Sequence, residues 1–276
     1  MAELIGAKPR EITFTGSGTE SIDLAIRGVL AAAPAERQAL VTDAIEHSAV
    51  RDLAEQLARE GRELRQIPIL PGGIVDTDAL PRLLEDGRVG VVSVQWANNE
   101  TGAVQPVERL ARICREHGVP FHCDGTQWVG KMPVGEGSQG GAFPGPAASP
   151  GPSAPPSLPF DLLSFSPHKF HGPKGIGVLW ARRGVRMRPT LHGTQELGRR
   201  GGTENVPGIL GAGVAAAEAR AWLADASARE RLAGLRDRLE RGVLERVPGA
   251  VVNAPGRRPS HGPETGAARL WNTTNI

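Results

Sequence analysis

Lys169 lies in the run SFSPHKFHGPKGIG (residues 164–177), at the end of an apolar stretch and beside Ser166, His168 and a glycine-rich turn. Only four of the 32 cationic residues are lysine (Lys8, Lys131, Lys169 and Lys174). A lysine in an apolar setting, in a chain that uses arginine nearly everywhere else, points to chemistry that requires an amine. Arginine stays protonated and forms no imine, whereas a desolvated lysine gives up its proton more readily and does. Taken alone, the position is equally that of a strand-end lysine with its ammonium in water.

Three other groups carry chemical meaning. Gly16-Ser17-Gly18-Thr19-Glu20-Ser21 falls between a predicted strand and a predicted helix. Backbone N–H groups at a helix N-terminus, with hydroxyls from Thr19 and Ser21, suit a phosphate; the same residues suit a plain N-cap. In FHCDGTQ, Asp124 stands at the C-terminal end of a predicted strand, where α/β folds place ligands. A carboxylate there could pair with a pyridinium nitrogen or cap the next helix. Asn98–Gly102 lies at another strand end and His47 at a third.

The elements that must position these residues are legible from periodicity. Glu11–Thr15 reads as a strand, followed by a helix with Ile22, Ile26, Val29 and Leu30 on one face. A second helix carries Val50, Leu53 and Leu57 and closes at Gly61; Val89–Val94 reads as a strand buried on both faces. Val107, Leu110, Ala111 and Cys114 mark a helix that stops at Gly118 before a short strand through Phe121. This alternation predicts an α/β fold with a mostly parallel sheet. After Pro207 come an apolar helix (Ile209, Leu210, Val214, Ala217) and a charged amphipathic one (Leu232, Leu235, Leu239, Val243). The expected organisation is a large domain over 1–220 and an incomplete small α+β domain over 221–276 that stops mid-strand at RLWNTTNI. Of the 25 residues from 135 to 159, 17 are Pro, Gly or Ser, which predicts a flexible, dispensable surface insertion.

A net charge of +2 gives no electrostatic case for nucleic acid or membrane. No apolar run reaches spanning length and the N-terminus has no leader pattern. The two cysteines, Cys114 and Cys123, suit a reducing cytoplasm, where the protein is expected.

Taken in order, FTGSGTES, EHSAV, NNETGAVQP, FHCDGTQWVGK, SFSPHKFHGPKGIG, RRGGTENVPG and NTTNI resemble the pyridoxal-phosphate enzymes of the class V aminotransferase group, specifically the cysteine desulfurases. The resemblance runs from about Glu11 to Ile276. It implies the type I (aspartate-aminotransferase-like) fold, pyridoxal 5′-phosphate as cofactor and no metal. Lys169 is then the internal-aldimine lysine, and Asp124 the partner of the pyridine nitrogen. Gln127 bonds the ring hydroxyl, and His47 stacks on the ring and moves protons. Gly18, Thr19, Ser166 and His168 hold the phosphate, and Asn99 is a further cofactor contact. Thr203 is similar to a threonine that reaches the neighbouring subunit's phosphate, which implies a homodimer. Lys169 is expected to be the one lysine within this constellation. The implied reaction takes sulfur from L-cysteine, leaving L-alanine and a persulfide for an acceptor such as an iron–sulfur scaffold.

The pattern departs from the family in two places. The family's nucleophilic cysteine and carboxylate-binding arginine belong beyond the NTTNI-like segment, and its opening segment has no counterpart here. The expectation is an internal fragment or a shortened form, inactive by itself, with apolar edge surface exposed around Leu270 and Trp271. Neither Cys114, on a helix's apolar face, nor Cys123, pointing away from Asp124, suits the nucleophile's part. A selenocysteine lyase, a metal-dependent hydrolase using His47, His122, Asp124, His168 and His171, and a non-catalytic fragment of the same fold are the alternatives.

Overall fold

The computed structural model describes residues 1–134, 158–255 and 269–276; residues 135–157, the bulk of the predicted insertion, lie outside them. The chain opens with α1 (Ala2–Ile5), β1 (Ile12–Thr15) and α2 (Gly18–Ala32). Next are β2 (Ala39–Asp43), α3 (Ser48–Arg59), β3 (Leu64–Ile67) and the hairpin β4 (Ile69–Leu70) and β5 (Ile74–Val75). Then follow α4 (Leu80–Leu84), β6 (Val89–Gln95), α5 (Val107–Glu116), β7 (Phe121–Asp124) and β8 (Leu162–Phe165). After a 3-10 turn, Pro167–Phe170, come β9 (Gly177–Ala181), α6 (Gln195–Gly198), α7 (Val206–Leu223) and α8 (Ala226–Arg246).

Among the described residues a seven-stranded sheet runs in the order β1-β9-β8-β7-β6-β2-β3. Strands β3, β2, β6, β7 and β8 are parallel, β9 reverses against β8, and β1 reverses against β9. Every residue of β6 is buried, as a central strand covered on both faces requires. Strand alternation divides the core in two. Leu40, Val91, Leu162 and Leu179 face α2 and α3, while Val41, Val92, Leu163 and Val178 face the layer holding α4, α5 and part of α7. Ile22, Ile26, Val29 and Leu30 are all at most 3% exposed. Burial of such side chains stabilises by about 1.5–3 kcal/mol each, so packing rather than propensity holds α2 in place. The parallel strands therefore bring their C-terminal ends to one shared edge.

The C-terminal third differs from expectation. Helix α7 turns its small residues Ala212, Ala215, Ala216 and Ala219 inward, leaving Leu210 and Val214 66% and 65% exposed. Small side chains let the helix come close to its neighbours, so the predicted apolar face lies outward. Helix α8 likewise buries only Ala228, Arg229 and Ala233, and Leu239 is exposed. The segment RLWNTTNI is no strand; it makes a single bridge, Ala103 to Arg269. The expected exposed edge is also absent there: Leu270 is 1% exposed. Trp271 packs on Trp222 at 5.1 Å and donates its indole N–H to the Lys131 carbonyl at 3.1 Å. Leu158 and Pro159, expected to end the insertion, belong to the packed layer: Leu158 is buried, and their carbonyls accept from Arg182 and Arg115. Among the described residues no helix is long and apolar enough to cross a membrane.

Candidate active site

Asp124 ends β7 and is 6% exposed. Its Oδ1 accepts the Thr126 backbone N–H at 2.9 Å. Burial pushes its pKa up, and the Thr126 hydrogen bonds, then His47 and Lys169, pull it back. His47 and Lys169 thus both act on the carboxylate, although neither bonds to it among the described residues. His47 is exposed at the N-cap of α3, where its Nδ1 accepts the Ala49 N–H at 3.1 Å. That bond occupies one ring nitrogen and leaves Nε2 as the edge that can exchange a proton.

Two neighbouring strand ends are tied to this one. Asn98 accepts from Glu100 N, Thr101 N and the Thr101 hydroxyl, and donates Nδ2 to the Ile45 carbonyl at 3.0 Å. Gln95 also donates to the Ile45 carbonyl, at 2.6 Å. The loop that bears Asn99, itself exposed, is thus fixed to the loop that bears His47. Glu46 is buried beneath them, with Oε1 accepting the Gln95 N–H.

The phosphate-like cradle is visible as crowding. A Cβ placed on Gly18 would meet the Ser166 hydroxyl at 2.2 Å and come within 3.7 Å of Thr126 Oγ1, so only glycine fits. Ser17 caps α2 by accepting the Glu20 N–H at 3.1 Å, with Thr19 exposed in the same first turn. Gly177 makes the same point from β9, since a Cβ there would strike the Ser17 carbonyl at 2.0 Å. Ser166, buried, accepts the Lys169 N–H at 3.1 Å.

Lys169 differs from expectation. The 3-10 turn Pro167–Phe170 carries it past the end of β8, and it is exposed rather than enclosed in apolar surroundings. His168 beside it is exposed too, its imidazole shifted down by desolvation and by the charges of Lys169 and Lys174. Nor is Lys169 the sole lysine of the constellation. Lys131, half-buried, donates to Gln127 Oε1 at 2.5 Å, and its pKa is lowered to about 8 by burial and by Lys169.

The structure therefore brings Gly18, His47, Asp124, Gln127, Ser166, His168 and Lys169 to one edge, with Thr19 and Asn99 on the adjoining turns. Thr203 is not among them; it is exposed, beside Gly16, Glu196 and Arg200. Sequence reasoning missed three residues. Thr126 sits two residues after Asp124, Glu46 immediately precedes His47, and Lys131 follows Gln127 by one helical turn. Adjacency to a chosen residue was the mark of Thr126 and Glu46, and Lys131 stood out only as one of the four lysines.

His122 and the cysteines play no part at this edge. His122 is fully buried between the Ser93 and Ser164 hydroxyls at 2.9 and 3.0 Å, and burial drives its pKa down to about 3. Both ring nitrogens are thereby occupied and the ring is neutral. Burial pushes the Cys114 thiol up to about 12 and Cys123 well above its ordinary value, so neither is an active nucleophile.

Comparison with known proteins gives a consistent picture. The family model described as aminotransferase class-V matches residues 1–140 and 152–261. A cysteine desulfurase of Cereibacter sphaeroides is 45% identical over 254 residues, covering 91% of this chain and 59% of that protein. A solved NifS-like protein is 35% identical with a TM-score of 0.79, covering 92% of this chain and 64% of that one. A structure titled SspA in complex with cysteine is 33% identical with a TM-score of 0.66, covering 78% and 57%. The chain spans about three fifths of the length of the curated relatives it matches. The type I fold expected from the motifs is the fold observed.

Proposed function

Because the chain belongs to the aminotransferase class-V family, we propose that the full-length protein is a pyridoxal-phosphate-dependent cysteine desulfurase. It would take sulfur from L-cysteine, leave L-alanine, and pass the sulfur as a persulfide to an acceptor such as an iron–sulfur scaffold protein. One observation carries this reading: a buried carboxylate, an amine and a glycine–hydroxyl cradle converge on one sheet edge.

The residues fit the cofactor. Asp124 is buried without a bonded cation, which a pyridinium N–H would supply. Gly18 lies so close to the Ser166 hydroxyl that a Cβ would strike it, which brings hydroxyls and backbone N–H groups together at the N-terminus of α2, where an anion is favoured. When bound, the cofactor supplies an electron sink for the pair left at a substrate's Cα.

Each side chain then has a separate task. Lys169 is the amine that holds the aldehyde carbon. Asp124 keeps the ring nitrogen protonated, and His47 covers the ring and moves protons at Nε2. Gln127 bonds the ring hydroxyl, and Asn99 makes a further contact. Gly18, Thr19, Ser166 and His168 take the phosphate. Thr203, exposed away from its own site, would reach the phosphate of a second subunit in a homodimer, consistent with the outward Leu210 and Val214 of α7. Residues 1–220 form the cofactor domain and 221–276 begin the small domain. A cytoplasmic location suits the reduced thiols.

The test is spectroscopic and chemical. The protein with pyridoxal phosphate should be yellow, bleached by borohydride, and labelled on the peptide containing Lys169. The full-length protein should release alanine from L-cysteine. A colourless protein that takes up no pyridoxal phosphate would overturn the cofactor reading, and a yellow one inert to cysteine would overturn the substrate.

A further inference from the structure

We propose that Lys131 is a second lysine of this site: a positioning residue that pins the Gln127 carboxamide as a hydrogen-bond donor and keeps a positive charge beside Lys169. The inference rests on the pyridoxal-phosphate reading above, and it concerns a residue which that reading leaves without a role.

Three hydrogen bonds and a packed neighbour hold Lys131 in place. The turn after Asp124 closes with Trp128 N and Val129 N donating to the Gly125 carbonyl, and Lys131 N and Met132 N donating to that of Trp128. Gly130, at φ 78°, takes a backbone conformation that favours glycine and packs on Phe170 of the lysine-bearing turn. The Lys131 carbonyl accepts the Trp271 indole N–H, and Trp271 rests on Trp222. The side chain then reaches back four residues to Gln127 Oε1 at 2.5 Å.

That bond settles which way the amide points. An ammonium only donates, so the Gln127 oxygen must face it, and the NH₂ becomes the edge turned to any ligand. Without such an anchor a glutamine amide can present either edge. With it, Gln127 is committed to an acceptor, and an oxyanion on the ring suits it better than a neutral hydroxyl.

The charge matters as well as the bond. A half-buried ammonium keeps only part of its hydration, and no carboxylate among the described residues bonds to Lys131. Burial, and then the charge of Lys169, lowers its pKa to about 8. Trp271, whose indole N–H bonds the Lys131 carbonyl, brings no charge. A positive group here favours a negative ring oxygen and disfavours a proton shared between that oxygen and the Lys169 nitrogen.

The experiment uses the protein reconstituted with pyridoxal phosphate and reads the visible band against pH, together with cofactor affinity from tryptophan fluorescence. Removing the charge with Lys131→Met should raise the midpoint of the band's titration by roughly half a pH unit or more, the scale expected of one nearby charge at intermediate dielectric. It should also erase a second feature near pH 8 where Lys131 itself titrates, and weaken cofactor binding by about threefold to tenfold. Lys131→Arg keeps a donor and a charge, so it should restore the parent midpoint yet show no feature near pH 8. Gln127→Leu should lose the affinity while keeping that feature. A Lys131→Met protein that titrates and binds as the parent does overturns this inference and leaves the cofactor reading standing. If Lys131→Met does not fold, a Lys131→Arg protein that retains the pH 8 feature overturns it instead. A parent protein that develops no visible band overturns both.

Discussion

The two ends of the site edge carry ionisable groups of opposite kind that are not paired with one another. Under β2 and β6 lie carboxyls: Asp43 and Glu46 are 1% and 2% exposed. Asp43 Oδ2, Glu46 Oε2 and the neighbouring Thr42 hydroxyl have no hydrogen-bond partner among the described residues. Past β7 and β8 lie amines: Lys131 is bonded to an amide, and Lys169 makes no ion pair among the described residues. Elsewhere among the described residues several charges are paired. Arg27 meets Asp23 and Glu60, Arg65 meets Glu63 and Asp86, and Arg200 meets Glu20. An edge whose buried carboxyls have no cationic partner costs stability when they ionise, as unpaired buried charge does. It becomes favourable when something between them presents a cation to Asp124 and anions to the other side.

The largest expected effect comes from removing the principal amine. Lys169→Ala should abolish the normal visible band of the reconstituted protein. Lys131, bonded to Gln127 at the same edge, is the lysine expected to capture a small residual fraction of cofactor at alkaline pH. Borohydride labelling should then move to the Lys131 peptide, and the double variant Lys169→Ala, Lys131→Met should show no label. An unchanged band in Lys169→Ala would remove that lysine from the site.

The carboxyl end is tested by stability against pH. Burial raises Asp43 to about 6, and Glu46 is raised too, by burial and by the charges of Asp43 and Asp124. An unfolded carboxyl ionises near 4. Between about pH 4 and pH 6 the native state therefore binds more protons than the unfolded state, and stability falls as pH rises through that window. Asp43→Asn removes one such group. Its stability relative to the parent should improve by up to about 3 kcal/mol between pH 4 and pH 8, by urea unfolding at each pH. Parallel pH curves for the two proteins would mean that Asp43 carries no such strain.

Asp124→Ala, between the two ends, should weaken pyridoxal phosphate binding by about 10-fold to 100-fold, the range for losing a charge-assisted hydrogen bond. The band should persist, since Lys169 is intact. Equal affinity in the variant would dissociate Asp124 from the ring nitrogen.

How legible these two ends were from sequence differs, for a physical reason. The sheet was legible because β6 is an unbroken buried run and α2, α3 and α5 keep a 3.6-residue apolar stripe. Asp124 and Lys169 stood out because each ends a strand or follows one closely. Glu46, Thr126 and Lys131 act by tertiary contact, and nothing in their own spacing distinguishes them from neighbours. Helix α7 misled for the reverse reason. Its apolar content is spread around the axis, so periodicity could not say that the alanines face the core and Leu210 and Val214 face out. The segment around Leu270 also read as a strand edge. Its burial depends on Gly102, whose carbonyl accepts the Leu270 N–H, and on Trp271 packing against Trp222, contacts that join parts of the chain far apart in sequence.

The smallest expected effect concerns the group that joins the two ends. Thr126 bonds Asp124 through its backbone N–H, and its hydrogen bonds counter the burial that raises the Asp124 pKa. Its hydroxyl also lies within reach of the Gly18 cradle. Thr126→Val keeps the side chain's volume and the backbone bond and removes only the hydroxyl. Without it, the Asp124 pKa should rise further, so less of the carboxylate is available to a ring cation as pH falls. Cofactor affinity should drop by about fivefold near neutral pH, corresponding to about 1 kcal/mol for one hydrogen bond, and the loss should widen toward pH 6. Thr126→Ser, which keeps the hydroxyl, should recover most of it. A Thr126→Val protein whose affinity loss does not change with pH would show that the hydroxyl serves the phosphate cradle alone and leaves Asp124 untouched.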